Sequence, residues 1–234
     1  MDTAQKLKTS FFIPLQFALI LWIIQIIQWL GNFSLGQFGV YPRMVSGLKG
    51  VFFSPLLHSG FDHLLSNTPP LIVLWAMILF FYRRIATQVF LLIYFLTGLA
   101  VWLFARPVFH IGASGVIYGL VAFVFWSGIF RKNIRSIALA LIVALYYGSM
   151  FMGILPIKPG VSWESHLMGG LVGIFVAFLY KNNREKEEER TPYSWETEPQ
   201  HSNFFLDRDT FDKTRREREA EKRNDYPGWF STRT

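Results

Sequence analysis

The stretch Gly112-Ala113-Ser114-Gly115 opens the apolar run VIYGLVAFVFWSGIF, residues 116–130. It places one serine hydroxyl among small residues at the start of a hydrophobic helix. The first turn of a helix has backbone N–H groups without an intrahelical partner, and small neighbours allow another helix or a substrate to approach closely. This stretch alone leaves two interpretations open, which are helix packing by small residues and a reactive serine beside free backbone donors.

The composition of the chain indicates a membrane protein. Of its 234 residues, 52% are hydrophobic and 18% are aromatic, which is too apolar for an ordinary soluble domain. The absence of cysteine excludes disulfides, thiol catalysis and cysteine-based metal sites. Residues 1–181 carry 12 Lys and Arg against three acids, whereas residues 182–234 carry 11 against 13. We therefore expect a basic membrane domain over 1–181 and a polar, flexible tail over 182–234.

Six apolar runs predict an all-α bundle of six transmembrane helices, because each is long enough to cross much of a hydrocarbon core at about 1.5 Å per residue. They are residues 11–30, 64–82, 86–105, 116–130, 137–155 and 167–180. We interpret the first run as a retained span, since no convincing cleavage site of a signal peptide follows it. The long connection over 31–62 is rich in apolar residues, and we expect it to lie partly in the membrane interface.

The positions of the cations predict the orientation of these spans. One set of connections carries most of the basic residues, namely Lys6, Lys8, Arg83, Arg84, Arg131, Lys132, Arg135, Lys181 and Arg184. The opposite connections carry only four, which are Arg43, Lys49, Arg106 and Lys158. By the positive-inside rule the first side is cytoplasmic. Both termini should therefore lie in the cytoplasm. We expect the protein in a bacterial inner membrane or an equivalent membrane.

Counting from the inner cations places three polar residues at one depth. Ser114 lies 17 residues before Arg131, or roughly 25 Å along a helix. His166 lies roughly 22 Å before Lys181, and Asn67 roughly 24 Å before Arg83. Polar groups are costly at that depth unless they face one another or water. A common cavity below the outer surface is the simplest explanation.

Such a cavity can support acyl transfer. A serine hydroxyl becomes a nucleophile when a histidine accepts its proton, which gives Ser114 and His166 their expected roles. The oxyanion that develops on the attacked carbonyl needs preorganised donors. The Ser114 backbone N–H, the Asn67 amide and a ring N–H of His63 are candidates, since His63 and Asn67 lie at i and i+4 on one helix face.

No acid is suitably placed to complete a triad. Asp62 adjoins His63, and Glu164 lies only two residues before His166, so that it would point to a different helix face. We expect both acids at the outer interface and a Ser-His dyad as the mechanism. Tyr118 follows Ser114 by one helical turn and either stacks on the imidazole or serves as an interfacial aromatic.

Together these motifs resemble the rhomboid family of intramembrane serine proteases. The resemblance rests on Gly112-Ala113-Ser114-Gly115, on His58-x4-His63-x3-Asn67 and on His166-x2-Gly169-x3-Gly173. It covers about residues 1–181. It implies a six-helix fold, cleavage of transmembrane segments near the outer membrane surface, Ser114 as the nucleophile and His166 as the base. It also implies an oxyanion and substrate-positioning site at His63, Asn67 and Gly112, and neither a cofactor nor a metal.

The resemblance assigns supporting positions as well. His58 and Tyr118 flank the site, while Gly169 and Gly173 fit close packing of the last span against the Ser114 helix. By position, the fifth span resembles the lateral gate of the family through Tyr146, Tyr147, Gly148 and Phe151. The chain departs from many members at Ser165, where a smaller residue is common, and it lacks a Trp-Arg pair found in the first loop of some members.

Three functions are open at this point. The favoured one is a protease whose partners are transmembrane protein substrates and the lipid bilayer, with no nucleic acid. The second is an inactive relative that binds membrane clients, which the presence of both Ser114 and His166 disfavours. The third is a transporter that uses the polar cavity, although no buried charged pair supports it. In the tail, residues 207–223 predict at most a solvated helix, and Trp229 and Phe230 are candidates for docking on a membrane or partner.

Overall fold

A computed structural model of the chain describes residues 2–157, 160–183, 185 and 211–225. Over these residues the fold is all-helical without a strand, and one isolated β-bridge pairs Val40 with His110. The chain divides into two compact units, Met1–Glu189 and Arg190–Thr234. The described residues contain eight α-helices, which are α1 (Thr3–Leu30), α2 (Gly50–Phe53), α3 (Phe61–Phe81), α4 (Ala86–Phe104), α5 (Ser114–Arg131), α6 (Ile134–Tyr147), α7 (Trp163–Leu179) and α8 (Arg215–Asp225).

Five helical segments of the first unit are long and apolar enough to cross a membrane, namely α1, α3, α4, α5 and the segment Ile134–Ile154. The last of these joins α6 to the 3₁₀ turns Gly148–Ile154. The sixth expected span is α7, which is apolar but has only 17 residues, or roughly 25 Å of helix. Each of the six predicted runs thus contains a helix, but only five segments reach the length of a span, and the sixth span stays a prediction.

The connection between α1 and α3 folds into short turns that lie against α4. It comprises 3₁₀ helices at Gly36–Phe38, Val45–Lys49 and Ser54–Leu56, with α2 between the last two. The Trp102 indole N–H of α4 donates to the Met44 carbonyl at 2.8 Å, and the Arg43 guanidinium donates to the Ala105 carbonyl at 2.8 Å. These bonds fix an apolar connection against the C-terminal end of α4.

Helix α5 runs through the middle of the first unit and packs most closely on α7. A Cβ atom at Gly169 would lie 1.9 Å from the Gly115 carbonyl oxygen, and a Cβ at Gly173 would lie 2.2 Å from that of Gly119. Both helices thus present glycines at a four-residue spacing, and the two backbones touch. This is the packing expected from the spacing of Gly169 and Gly173, and it brings the first turns of α5 and α7 together.

The other face of α5 packs on α3 and α4 through large apolar side chains. Leu71, Ile78, Ile93, Leu120 and Phe123 are fully buried there. Trp75 of α3 stacks on Phe90 of α4 with ring centroids 3.5 Å apart. By contrast, α6 contacts mainly α5 and leaves residues such as Leu141 and Leu145 exposed. The α3–α4–α5–α7 group is therefore the more buried part, and the segment Ile134–Ile154 that contains α6 is the least buried of the five long apolar segments.

The C-terminal ends of three helices meet at the end of the bundle opposite Ser114. The Arg131 guanidinium, at the end of α5, donates to the Tyr180 carbonyl after α7 at 3.1 Å and lies over the Tyr82 ring after α3 at 4.7 Å. Nearby, the Arg84 backbone N–H donates to the Glu185 carboxylate at 3.0 Å. The cations after α3 and α5 thus lie at the same end of the bundle, as the sequence predicts.

In the second unit, the described residues 211–225 contain the charged helix α8. Thr214 and Glu217 form a capping box at its start, because the Thr214 N–H donates to the Glu217 carboxylate at 2.7 Å and the Glu217 N–H lies 3.5 Å from the Thr214 hydroxyl. Arg215 and Glu219 pair at i, i+4. Its described side chains are largely exposed, which agrees with the predicted solvated helix. The predicted flexible link and the aromatic residues Trp229 and Phe230 lie outside the described residues.

The glycine contact between α5 and α7 yields a stability prediction. Gly169→Ala should lower the free energy of unfolding by about 1–3 kcal/mol, because its methyl group must push the two helices apart. Gly170→Ala is the matched control, since a Cβ there has nothing within 4 Å and alanine favours the helix. Thermal unfolding in detergent micelles measures both. An equal midpoint for the two variants would contradict the close backbone contact.

Candidate active site

Ser114 and His166 lie in hydrogen-bonding contact at the start of α5 and α7. His166 Nε2 is 2.9 Å from Ser114 Oγ. Ser114 is the first residue of α5, and the turn before it contains Gly112 at φ +110°. That conformation is rarely open to residues with a Cβ. Two residues far apart in the chain are thus brought together by the α5–α7 contact.

The second ring nitrogen of His166 fixes the protonation pattern of this pair. His166 Nδ1 lies 2.8 Å from the Gly153 carbonyl oxygen. A carbonyl oxygen can only accept a hydrogen bond, so Nδ1 carries the proton of the neutral ring. Nε2 is then an acceptor, and the Ser114 hydroxyl donates to it. This is the tautomer in which the imidazole can take the serine proton.

Tyr118 holds the plane of the His166 ring. The two rings stack with centroids 4.1 Å apart and an interplanar angle of 7°. The Tyr118 hydroxyl donates to the Met150 carbonyl at 2.6 Å, which ties the stack to the 3₁₀ segment after α6. Of the two interpretations that the sequence left open, the structure has the stacked one.

His63, Asn67 and Gly112 lie together on the far side of Ser114. A Cβ at Gly112 would lie 2.8 Å from His63 Nε2 and 3.9 Å from Asn67 Nδ2. Asn67 is buried, and its amide nitrogen has no hydrogen-bond partner among the described residues. The His63 Nδ1 atom lies 3.2 Å from the Ser59 hydroxyl. When Ser59 donates there, the proton of a neutral His63 ring is on Nε2, the atom nearest Gly112.

His58 lies behind this group rather than on the cavity wall. Its ring packs edge to face on His63 with centroids 5.0 Å apart, and its Nε2 accepts from the Ala113 N–H at 3.5 Å. Burial, with a further contribution from His63, lowers the pKa of His58 to about 3. His58 is therefore uncharged at neutral pH, and it supports both His63 and the turn before Ser114.

One cavity of about 910 Å³ joins these groups. Ser114, His166, His63, Asn67 and Tyr118 all line it, as the shared depth of Ser114, His166 and Asn67 predicts. Its remaining wall comes from α3, from the 105–113 loop, from the segment before α7 and from the end of α6. These wall residues include Ser66, Pro69, Pro70, Val73, Phe109, Ile111, Tyr147, Met150 and Val161.

A polar network that the sequence analysis did not identify joins the loops before α5 and α7. His110 Nε2 lies 3.0 Å from the Arg106 carbonyl, His110 Nδ1 lies 2.6 Å from the Ser162 hydroxyl, and that hydroxyl lies 2.6 Å from Ser165. Burial lowers the pKa of His110, which favours the neutral ring. Because the carbonyl only accepts, Nε2 donates, Ser162 donates to Nδ1, and Ser165 donates to Ser162.

The same network extends to the connection before α3. The Ser54 hydroxyl donates to the His110 carbonyl at 2.9 Å, and the Gly112 N–H donates to the Ser54 carbonyl at 2.9 Å. The sequence contains one signal of this arrangement, since His110 precedes Ser114 by four residues and Ser162 precedes His166 by four. Their pairing across 52 residues is a tertiary contact.

Neither acid is a hydrogen-bond partner of His166, whose ring nitrogens contact Gly153 and Ser114. Asp62 is exposed. The Glu164 side chain is only 6% exposed and forms an ion pair with Arg106, with Oε1 3.1 Å from Nε. Arg106 also donates to the Val161 carbonyl at 3.2 Å. Glu164 is buried because Arg106, in the loop before α5, neutralises it; a spacing rule within α7 cannot reveal that partner.

Within the part of the chain that the structure describes, no three His, Asp or Glu side chains converge into a metal site. The polar groups of the cavity are a hydroxyl, imidazoles and an amide. The hydroxyl lies against an imidazole nitrogen that can accept its proton, and the amide and a second imidazole face the same cavity. These are the groups that acyl transfer requires.

Comparison with known proteins identifies relatives of this chain. A family model described as the Rhomboid domain matches residues 46–183, which include every residue of the site. Uncharacterized proteins of Mycobacterium tuberculosis and Mycobacterium bovis are each 35% identical over 174 residues, covering 70% of this chain and 72% of each relative. An uncharacterized protein of Mycobacterium leprae is 32% identical, covering 70% of this chain and 69% of the relative.

Proposed function

We propose that this chain, which belongs to the rhomboid family, is an intramembrane serine endopeptidase that cleaves transmembrane segments of membrane proteins. The observation that carries the proposal is the 2.9 Å contact between Ser114 Oγ and His166 Nε2. Family membership alone does not require activity. A serine and a histidine held in contact, in the tautomer that accepts the serine proton, are what a nucleophile and a general base need.

The chemistry follows from this contact. Ser114 Oγ attacks the carbonyl carbon of the scissile peptide bond, and its proton passes to His166 Nε2. The Gly153 carbonyl continues to accept from Nδ1 and stabilises the imidazolium that forms. His166 then gives the proton to the leaving amine, the C–N bond breaks, and an acyl-enzyme remains. Water, deprotonated by the same histidine, then attacks the ester carbonyl. The ester C–Oγ bond breaks, His166 returns the proton to Ser114 Oγ, and the product leaves with a new carboxyl group.

The oxyanion of each tetrahedral intermediate would lie near Gly112. The Asn67 amide, His63 Nε2–H and the Ser114 backbone N–H are the proposed donors. The unpartnered and buried Asn67 amide nitrogen supports this role, because a buried donor without a partner is otherwise costly. Gly112 leaves the space beside His63 open, which a side chain would fill. Such donors stabilise charge that appears only during the reaction.

A bilayer setting follows from the helices that hold the site. In this proposal α1, α3, α4, α5, α6 with its 3₁₀ extension and the shorter α7 form six spans. The cations after α3, α5 and α7 face the cytoplasm, together with both termini. Ser114, at the opposite end of α5, then lies below the outer surface of a bacterial inner membrane or an equivalent membrane.

Substrates are proposed to reach the cavity from the side of the bilayer, between α3 and α6. Tyr147 and Met150, at the end of α6, line the cavity opposite Pro70 and Val73. Because the α6 segment is the least buried of the five long apolar segments, we assign the opening movement to it. The polar tail, residues 182–234, has no part in the proposed chemistry.

The dyad predicts the behaviour of two single variants and of their combination. Ser114→Ala and His166→Ala should each abolish cleavage of a model transmembrane substrate by the purified protein, because the nucleophile and the base act as one unit. The double variant should be no worse than either single variant. Gel analysis of cleavage products in detergent or liposomes measures all three. Substantial residual cleavage by folded Ser114→Ala would contradict the dyad.

The proposed oxyanion site predicts a selective effect at Asn67. Asn67→Ala should lower kcat by roughly tenfold to a hundredfold with little change in KM, since its donor acts on charge that forms in the transition state. Thr68→Ala is the matched control. Thr68 is the next residue of α3, and its hydroxyl accepts from the Trp22 indole of α1 at 3.1 Å rather than facing the cavity. Equal kcat values for folded Asn67→Ala and the wild type would exclude this role.

A further inference from the structure

Helix α3 contains two consecutive prolines, Pro69 and Pro70, and continues through both of them from Phe61 to Phe81. Proline has no backbone N–H, and its ring pushes away the carbonyl group four residues earlier. The carbonyl oxygens of Leu65 and Ser66 therefore lack the donors that an uninterrupted helix would supply. Two adjacent carbonyls in the first half of α3 thus lose the donor four residues on.

Neighbouring hydroxyl groups do not compensate for these missing donors. The Ser66 hydroxyl donates to the His63 carbonyl at 2.8 Å, and the Thr68 hydroxyl donates to the Leu64 carbonyl at 2.8 Å. Both serve carbonyls one turn closer to the start of α3. The nearest side-chain donors of the helix are thus already used, and neither serves Leu65 or Ser66.

The prolines that remove these donors lie at the cavity, and so does Ser66 itself. Ser66, Pro69, Pro70 and Val73 line the same cavity as Ser114. The Thr68 side of α3 packs on α1 through the Trp22 indole. Leu65 is 57% exposed. A helical carbonyl points along the axis toward the residue four positions on. The Ser66 carbonyl therefore points toward Pro70, and both residues line the cavity.

The backbone of an unwound peptide can supply the donors that the Leu65 and Ser66 carbonyls lack. A carbonyl at this cavity needs a donor to replace the lost N–H, and a substrate that enters the cavity displaces the water that could serve. A transmembrane helix satisfies its own N–H groups, but a peptide bond must leave the helix before a serine can attack it. The unwound substrate then has N–H groups that have lost their acceptors. The open carbonyls of α3 and the open N–H groups of the substrate are complementary.

We propose that the Leu65 and Ser66 carbonyl oxygens, freed by Pro69 and Pro70, accept hydrogen bonds from the unwound backbone of a transmembrane substrate beside Ser114. The inference rests on the proposed protease function and adds to it a binding site for substrate backbone on α3. It assigns the two prolines a role in recognition. Because backbone N–H groups are recognised, this site favours segments that unwind readily over any particular side chain.

Replacing each proline tests the inference without weakening the helix. Pro69→Ala and Pro70→Ala each supply an N–H to the carbonyl four residues earlier, so that the acceptor is occupied within α3. We expect KM for a model transmembrane substrate to rise by roughly fivefold to tenfold, the effect of one lost hydrogen bond, with kcat less affected. In the Ser114→Ala background, Kd for the same labelled substrate should rise equally. The thermal midpoint should not fall, since the helix gains a bond.

Pro14→Ala is the matched control. Pro14 is likewise inside a helix, α1, and does not line the cavity. Its replacement restores a helical N–H in the same way, and KM should stay at the wild-type value. Pro70→Gly separates hydrogen bonding from bending, because glycine supplies the N–H while keeping the backbone flexible. We expect Pro70→Gly to raise KM as Pro70→Ala does.

Two results would overturn the inference while leaving the protease function intact. One is cleavage by Pro69→Ala and Pro70→Ala with KM and Kd unchanged. The other is a wild-type KM in Pro70→Gly combined with a raised KM in Pro70→Ala, which would mean that the prolines act as a hinge. Failure of the wild type to cleave any transmembrane substrate is a different outcome. It would overturn the protease function, and this inference with it.

Discussion

The backbone contact between α5 and α7 is the constraint on which the rest of the structure depends. Gly115 and Gly119 meet Gly169 and Gly173 so closely that no side chain fits between the helices. Apolar side chains gain little from leaving lipid for protein, so close packing is a main source of helix association in a bilayer. The same contact sets the distance between the first turns of the two helices. The 2.9 Å separation of Ser114 Oγ and His166 Nε2 is its direct consequence.

Polar bonds at the Ser114 end of the bundle orient the His166 ring and hold the loops that precede Ser114 and His166. Gly153 and Tyr118 set the tautomer and plane of His166. The pair of His110 with Ser162 and the pair of Arg106 with Glu164 tie the two loops that precede the dyad residues. These two pairs join the loop before α5 to the start of α7. Ser114 and His166 are therefore held by the helix packing that follows them in the chain and by the polar bonds that precede them. On the α6 side, the ties run to the 3₁₀ segment that follows the helix, through the Met150 and Gly153 carbonyls.

Much of this arrangement could be predicted from the sequence because depth in a membrane follows from simple counting. Counting residues from the cations at the other end of each helix placed Ser114, His166 and Asn67 at one level. All three line one cavity in the structure. The glycine spacing of α7 predicted its close packing, and the one-turn spacing of Tyr118 predicted its stack as one of two options. All of these are regularities within a helix or along the membrane normal.

Other features could not be predicted, since they arise from contacts between segments that have no regular spacing. The Gly153 carbonyl reaches His166 from a 3₁₀ turn whose position depends on how α6 ends. Glu164 is buried because Arg106 neutralises it from another loop, and helix periodicity alone assigns it to the interface. His110 looks like an ordinary loop histidine until Ser162 is brought beside it.

The central claim is that His166 activates Ser114. The most direct test is labelling of the purified protein with a fluorophosphonate, followed by mass spectrometry of its peptides. The dyad predicts that the label is on Ser114 and that His166→Ala, shown to be folded by its thermal midpoint, reduces the labelling rate at least a hundredfold, the lower range for a positioned general base. Labelling of a different serine, or labelling of Ser114 at an undiminished rate in His166→Ala, would contradict the claim.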